Sequence, residues 1–194
     1  MAKKPVIVGI GGTTRANSST EKALRFALKV AEKEGAETIL FDGPTLDRFP
    51  HYAPEKPERV AEAKDLIEAC RRADGLIVAT PGYHGTISGM VKTALDYTED
   101  MREDERPYLS HRPVGCIATG AGWQGTVTAL EALRTVVHTL RGWPTPLGAA
   151  INTAQPAFSP DGDPLDERTA FQLTTVAQEV MQFIRWRDGS DVPR

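Results

Sequence analysis

Short apolar runs alternate with longer stretches of helical period along nearly the whole chain. Val6 to Ile10, Thr38 to Phe41, Gly75 to Ala79, Val114 to Ala118 and Leu147 to Ile151 are the apolar runs, each of a length suited to a strand covered on both faces. Between the first two, Leu24, Ala27, Leu28 and Ala31 recur at i, i+3, i+4 and i+7 and write one face of a helix. Ser18 and Glu21 supply an S-x-x-E capping box at its start, and Gly35 a terminator at its end. The same period predicts helices through Val60, Ala63, Ile67 and Cys70, through Val91, Ala94 and Leu95, and through Leu130, Leu133, Val137 and Leu140. A last one runs from near Asp166 to Trp186, with Val176, Val180, Phe183 and Ile184 facing inward. Strict alternation of strand and helix predicts an α/β fold: a doubly wound, five-stranded parallel sheet with helices on both faces. The proline-rich stretches Gly43 to Pro57 and Thr153 to Pro164 read as connections, residues 1–187 as a single domain, and residues 188–194 as a frayed tail.

Ligands of an open α/β sheet gather beyond the carboxyl ends of its strands, so the loops after the first, third and fourth runs carry most of the chemistry. The first, "GGTTRANSST", is neither a Walker loop, which ends in Gly-Lys-Ser/Thr, nor the dinucleotide fingerprint, whose last glycine is replaced by Thr14. It offers backbone N–H groups, the hydroxyls of Thr13, Thr14, Ser18, Ser19 and Thr20, and the Arg15 guanidinium. That set suits a phosphate monoester; it equally describes a capped turn with a solvated arginine. In the second, "TPGYHGTISG", Pro81 stiffens the chain, while Gly82 and Gly85 around Tyr83 and His84 allow close approach of a flat ligand. Read in isolation, the same residues give a buried tyrosine beside a surface histidine. The third, "TGAGWQG", presents main-chain groups to the edge of a heterocycle, with Trp123 either part of the site or an anchor for packing or subunit contact.

Composition narrows the partners. A formal net charge of -3 with 25% charged residues leaves no basic excess for nucleic acid or anionic lipid, so neither is expected. Cys70 and Cys116 lack C-x-x-C spacing and His51, His111 and His138 are scattered, so no metal site is expected and both cysteines read as core residues. The apolar run near the N-terminus is too short for a signal peptide or a membrane span, which points to a cytoplasmic protein.

Taken together, the loops resemble those of the NADPH-dependent FMN reductase family of flavodoxin-like proteins. The family's first loop, roughly G-S-x-R-x-x-S-x-N, is matched in register by Gly12, Thr13, Arg15, Ser18 and Thr20. Its second, roughly T-P-E-Y-N-G-S-x-P-G-x-L-K-N-A-x-D, is matched by Thr80, Pro81, Tyr83, Gly85, Gly89, Lys92, Ala94 and Asp96. The resemblance runs from Val6 to about Leu147, and the final helix adds little to it. It implies FMN with its phosphate on Gly12, Thr13, Arg15, Ser18, Ser19 and Thr20, and its isoalloxazine against Pro81, Gly82, Tyr83, His84, Gly85, Thr119, Gly120, Ala121 and Gly122. It also implies NADPH or NADH as hydride donor, a small-molecule acceptor or a flavin-dependent monooxygenase as recipient, and a homodimer or homotetramer. The alternative is a flavodoxin-type electron carrier. The flavin carries the chemistry in the enzyme reading, so no catalytic side chain is named; His84 is either a proton source or simply solvent-facing. Two departures stand out, Gly82 for the family's glutamate and His84 for its asparagine, and the properties they would change are the flavin potential and the preferred acceptor.

Overall fold

The computed structural model describes residues 4–189; the expected tail therefore lies, from residue 190 onward, outside the described residues. In chain order the elements are β1 (Val6–Gly11), α1 (Ser19–Lys33), β2 (Glu37–Phe41), α2 (Gly43–Leu46), α3 (Ala61–Arg72), β3 (Gly75–Tyr83) and β4 (Thr86–Ile87). There follow α4 (Gly89–Asp96), a 3-10 turn over Tyr97–Met101, β5 (Pro113–Gly120), α5 (Trp123–Thr139), β6 (Trp143–Pro144), β7 (Ala149–Asn152) and α6 (Glu167–Arg187). Strands β2, β1, β3 and β5 lie side by side and parallel, and the far edge of β5 is completed by β6 along its start and β7 along its end. This is the doubly wound, flavodoxin-like order, with seven strands rather than five. The two additions are two-residue strands: β6, and β4, which folds back antiparallel on the end of β3.

Strand alternation sorts the core into two layers. Val8, Ile10, Leu76, Val78, Val114 and Cys116 face α3, α4 and α5, whereas Ile7, Ile77, Ala79 and Ile117 face α1 and α6. Both cysteines are free and buried, and burial pushes each thiol up to about 12, so they serve as small apolar residues. Phe183 is the exception among the inward positions of α6. It is half-buried at the sheet margin, its ring 5.6 Å from that of Trp143.

The helix ends explain where the chain turns. Ser18 caps α1 by accepting from the Glu21 N–H at 3.2 Å; the Glu21 carboxylate accepts from the Asn17 N–H rather than from Ser18, so the capping box closes one residue early. At the other end the Gly35 N–H bonds to the Glu32 carbonyl and the Ala36 N–H to that of Ala31, a Schellman ending. Within the connection after β2, Asp42 caps the short α2, and Arg59 fixes the remainder. Its guanidinium lies over the rings of Tyr52 and Tyr97 and bonds Asp100 at 2.7 Å. At the edge where strands begin, Arg112 is fully buried and donates to the carbonyls of Ala73, Arg71 and Tyr108. Two of these carbonyls, those of Arg71 and Ala73 at the end of α3, also accept from Arg106, so two guanidinium groups close that helix end. Burial lowers the pKa of Arg112 to about 10, leaving it charged at neutral pH.

Candidate functional site

The opposite edge, where β1, β3, β5 and β7 end, carries an open cleft of about 310 Å³. Its first wall is the turn from β1 into α1. At Gly11 the backbone takes φ +151°, and an added Cβ would lie 2.1 Å from the Ala79 carbonyl oxygen, so the strand leaves the sheet in a form open to glycine. Beyond it the Thr13 hydroxyl donates to the Arg15 carbonyl at 3.1 Å and accepts from the Arg15 N–H at 3.2 Å, which folds the turn on itself. The Arg15 side chain forms no hydrogen bond or ion pair among the described residues and is exposed. Thr13, Arg15, Ser18, Ser19 and Thr20 all line the cleft; Gly12 does not, being buried behind the turn against Gly43.

The second wall is the end of β3. Pro81, Gly82 and Tyr83 line the cleft, and Tyr83 is 52% exposed rather than buried. The chain then reverses at His84 and Gly85, with φ of +51° and +84°, between the pairs Tyr83↔Thr86 and Gly82↔Ile87. Two consecutive positive-φ residues closing a two-residue hairpin define a type I′ turn, in which Asn-Gly is the favoured pair. Histidine tolerates that region better than most side chains. His84 therefore occupies the asparagine position for reasons of turn geometry, at an exposed tip, and neither it nor Gly85 lines the cleft. Gly82 has a different constraint: a Cβ there would meet the Gly125 carbonyl oxygen at 2.8 Å and the Ala129 Cβ at 3.2 Å. The glutamate of the resemblance would not fit while α5 sits where it does.

The third wall comes from β5 and β7. Thr119, Gly120 and Ala121 line the cleft, while Gly122 lies outside it and caps α5, its carbonyl accepting from the Thr126 N–H and hydroxyl. Thr153 is a lining residue that the sequence did not announce. Its N–H bonds the Gly120 carbonyl at 2.8 Å, so β7 delivers it by sheet pairing rather than by any local motif. Thr20 and Thr119 tie the first wall to the third through a buried hydroxyl pair 2.6 Å apart.

Six hydroxyl-bearing residues, Thr13, Ser18, Ser19, Thr20, Thr119 and Thr153, thus line the cleft with Arg15 as its one charged residue, and the lining contains no carboxylate, histidine, lysine or cysteine. The N–H groups of Glu21 and Lys22 are bound to Ser18, which leaves those of Ser19 and Thr20 as the first helical donors without a capping partner. Donors and one positive charge, with no negative charge to oppose them, fit a phosphate monoester. A second concavity of about 250 Å³, between Trp143, Pro146, Phe183 and Trp186, is mainly apolar and shares no residue with this cleft. Among the described residues no group of three or more His, Cys, Asp or Glu side chains could hold a metal ion, and no helix is long and apolar enough to cross a membrane.

Comparison with known proteins gives the family and the fold. The family model for NADPH-dependent FMN reductase matches residues 5–156. The FMN-dependent NADPH-azoreductase of Staphylococcus aureus is 31% identical over 167 residues, covering 84% of this chain and 85% of its own. Among solved structures, the flavoenzyme NAD(P)H:(acceptor) oxidoreductase FerB from Paracoccus denitrificans superimposes with a TM-score of 0.77 at 22% identity, over 97% of this chain and all of its own (100%). A flavodoxin of Streptococcus pneumoniae shares the fold at TM-score 0.61 and 14% identity, over 91% of this chain and 98% of its own.

Proposed function

Because the chain belongs to the NADPH-dependent FMN reductase family, we propose that the turn from Thr13 to Thr20 holds the phosphate of FMN and that Gly82, Tyr83, Gly120 and Ala121 border its ring system. The protein is an NAD(P)H-dependent flavin oxidoreductase that uses FMN. The observation that carries the site assignment is the acid-free lining, with Arg15 as its one charge, on the edge where the three strand-end loops meet.

FMN, when bound, supplies the two-electron chemistry that links NAD(P)H to an acceptor. The chain binds and orients. Arg15 and the Ser19 and Thr20 N–H groups would hold the phosphate, the Thr20 to Thr119 bond ties the phosphate turn to the third wall, and Gly82 and Gly120 would let the ring approach the backbone. The lining holds no histidine, carboxylate, lysine or cysteine, in keeping with a site that positions its ligand. The exposed Tyr83 leaves the mouth open to a second reactant.

The acceptor in this reading is a small molecule of flavin, quinone or azo type, or a flavin-dependent monooxygenase that takes up reduced flavin. The mainly apolar concavity between Trp143, Pro146, Phe183 and Trp186, with Trp143 54% exposed, supports association into a homodimer or homotetramer. Two unpaired buried cysteines support a reducing, cytoplasmic setting, and the continuity of one sheet from β1 to β7 supports residues 1–187 as a single FMN-binding domain. Anaerobic mixing of the FMN-loaded protein with NADPH or NADH tests the assignment. Rapid bleaching of the flavin is expected; FMN that stays oxidised with both donors would leave the carrier reading in its place.

A further inference from the structure

The final helix contributes a basic group to the same edge of the sheet. Arg168, in the first turn of α6, lies with its guanidinium carbon 5.1 Å from the centre of the Trp123 ring, at the start of α5. Trp123 follows the cleft-lining Ala121 by two residues, and its contact with Arg168 brings the start of α6 beside that wall, though neither side chain lines the cleft. The ring is 48% exposed and Arg168 is exposed as well. Among the described residues the guanidinium forms no hydrogen bond or close ion pair, and the one charge it feels is the Asp166 carboxylate two residues before it. Asp166 nearby is committed to the helix cap, accepting from the Thr169 N–H and hydroxyl. Other cations at this edge are engaged: Lys22 donates to the Ser159 carbonyl, and Arg25 is paired with Glu21 and Asp42.

An arginine stacked on an exposed indole is held in one plane with its donor edge free. Such a group can stack on a heterocycle and bind a phosphate through two parallel N–H bonds at little further cost in side-chain freedom. With Arg15 assigned to the phosphate of FMN, this second cation outside the ring pocket is available to a second anion. We propose that Arg168, flattened on Trp123, recognises the 2′-phosphate of NADPH, with the adenine beside the same platform, and so sets the preference for NADPH over NADH. This rests on the reading of the cleft as a flavin reductase site, because it requires the nicotinamide end of the dinucleotide to lie over the flavin.

The test uses protein saturated with FMN, titrated calorimetrically with 2′,5′-ADP and with 5′-AMP, which differ by the phosphate in question. Wild type is expected to bind 2′,5′-ADP about 10- to 100-fold more tightly, the worth of a charge-assisted bond to phosphate. Arg168→Ala should level the two affinities, Arg168→Lys should keep part of the preference, and Trp123→Ala should reduce it where Trp123→Phe retains it. The ratio of kcat/KM for NADPH to that for NADH should fall in parallel in Arg168→Ala. A wild type with no preference, a preference that survives Arg168→Ala, or an equal loss for both nucleotides would overturn the proposal. Anaerobic bleaching in the wild type reports separately on the reductase reading, since nucleotide binding is measured without turnover.

Discussion

Replacing Arg15 by alanine isolates the phosphate turn from the rest of the site. Its guanidinium has no partner among the described residues, so the substitution removes no contact of the folded chain and should change stability by no more than about 0.5 kcal/mol. A charge-assisted hydrogen bond to a phosphate contributes roughly 1.5 to 3 kcal/mol, and exposure of Arg15 to solvent and salt favours the lower end. At about 1.4 kcal/mol per tenfold, FMN affinity should fall by about 10-fold and at most about 100-fold. Riboflavin shares the ring system of FMN but has no phosphate, so its affinity should be unaffected. Quenching of flavin fluorescence on titration gives both constants for both proteins, and repetition at higher salt should shrink the FMN effect alone. An unchanged FMN affinity, or equal weakening of FMN and riboflavin, would refute the cradle and return the segment to a capped turn.

Three other substitutions probe what surrounds the turn. Thr20→Val or Thr119→Val alone strands the other buried hydroxyl and should cost about 1 to 3 kcal/mol in denaturant unfolding, while the double variant should recover part of that loss. His84→Asn should change stability by about 0.5 kcal/mol or less, in the favourable direction for a type I′ turn, and leave the potential of bound flavin where it was; a shifted potential would bring His84 back into the ring pocket. Hydrogen bonding to Arg59 holds the Asp100 carboxyl below its usual pKa, so its stabilisation is complete above about pH 4 and fades as pH falls through the lowered value. The stability gap between wild type and Asp100→Asn, followed by chemical denaturation against pH, should accordingly be widest near neutrality and close in acid.

The periodic elements were legible because burial on one face or both leaves a repeating signature: β1, β3 and β5, and the helices α1, α3 and α5, lie where their apolar spacing puts them. What escaped is governed by other forces. Trp143–Pro144 is too short to have a period, and β4 exists only because His84 and Gly85 turn the chain back on β3. The short α2 was foreshadowed by Asp42 as a cap and Pro44 behind it, but proline density in that stretch outweighed the signal. Most of the cleft lining is legible in the sequence because it sits in glycine-rich turns at strand ends. Thr153 carries no such signal, since it reaches the cleft through sheet pairing, and neither does Arg168, which lies outside the lining at the start of a helix whose own sequence has no ligand motif. Gly12, His84, Gly85 and Gly122 shape the loops without lining the cleft.

The close approach of Gly82 to Gly125 also bears on how this protein can change. The obstacle to a side chain at position 82 is a main-chain carbonyl, which cannot swing aside as a side chain would. Two loops that both border the cleft are therefore coupled by inheritance: a change at 82 is tolerated only on a background where the start of α5 has already moved. A mutant library that varies the two segments independently would consist mainly of damaged proteins. One that varies residue 82 together with residues 122–129 would admit side chains at position 82 that single steps exclude.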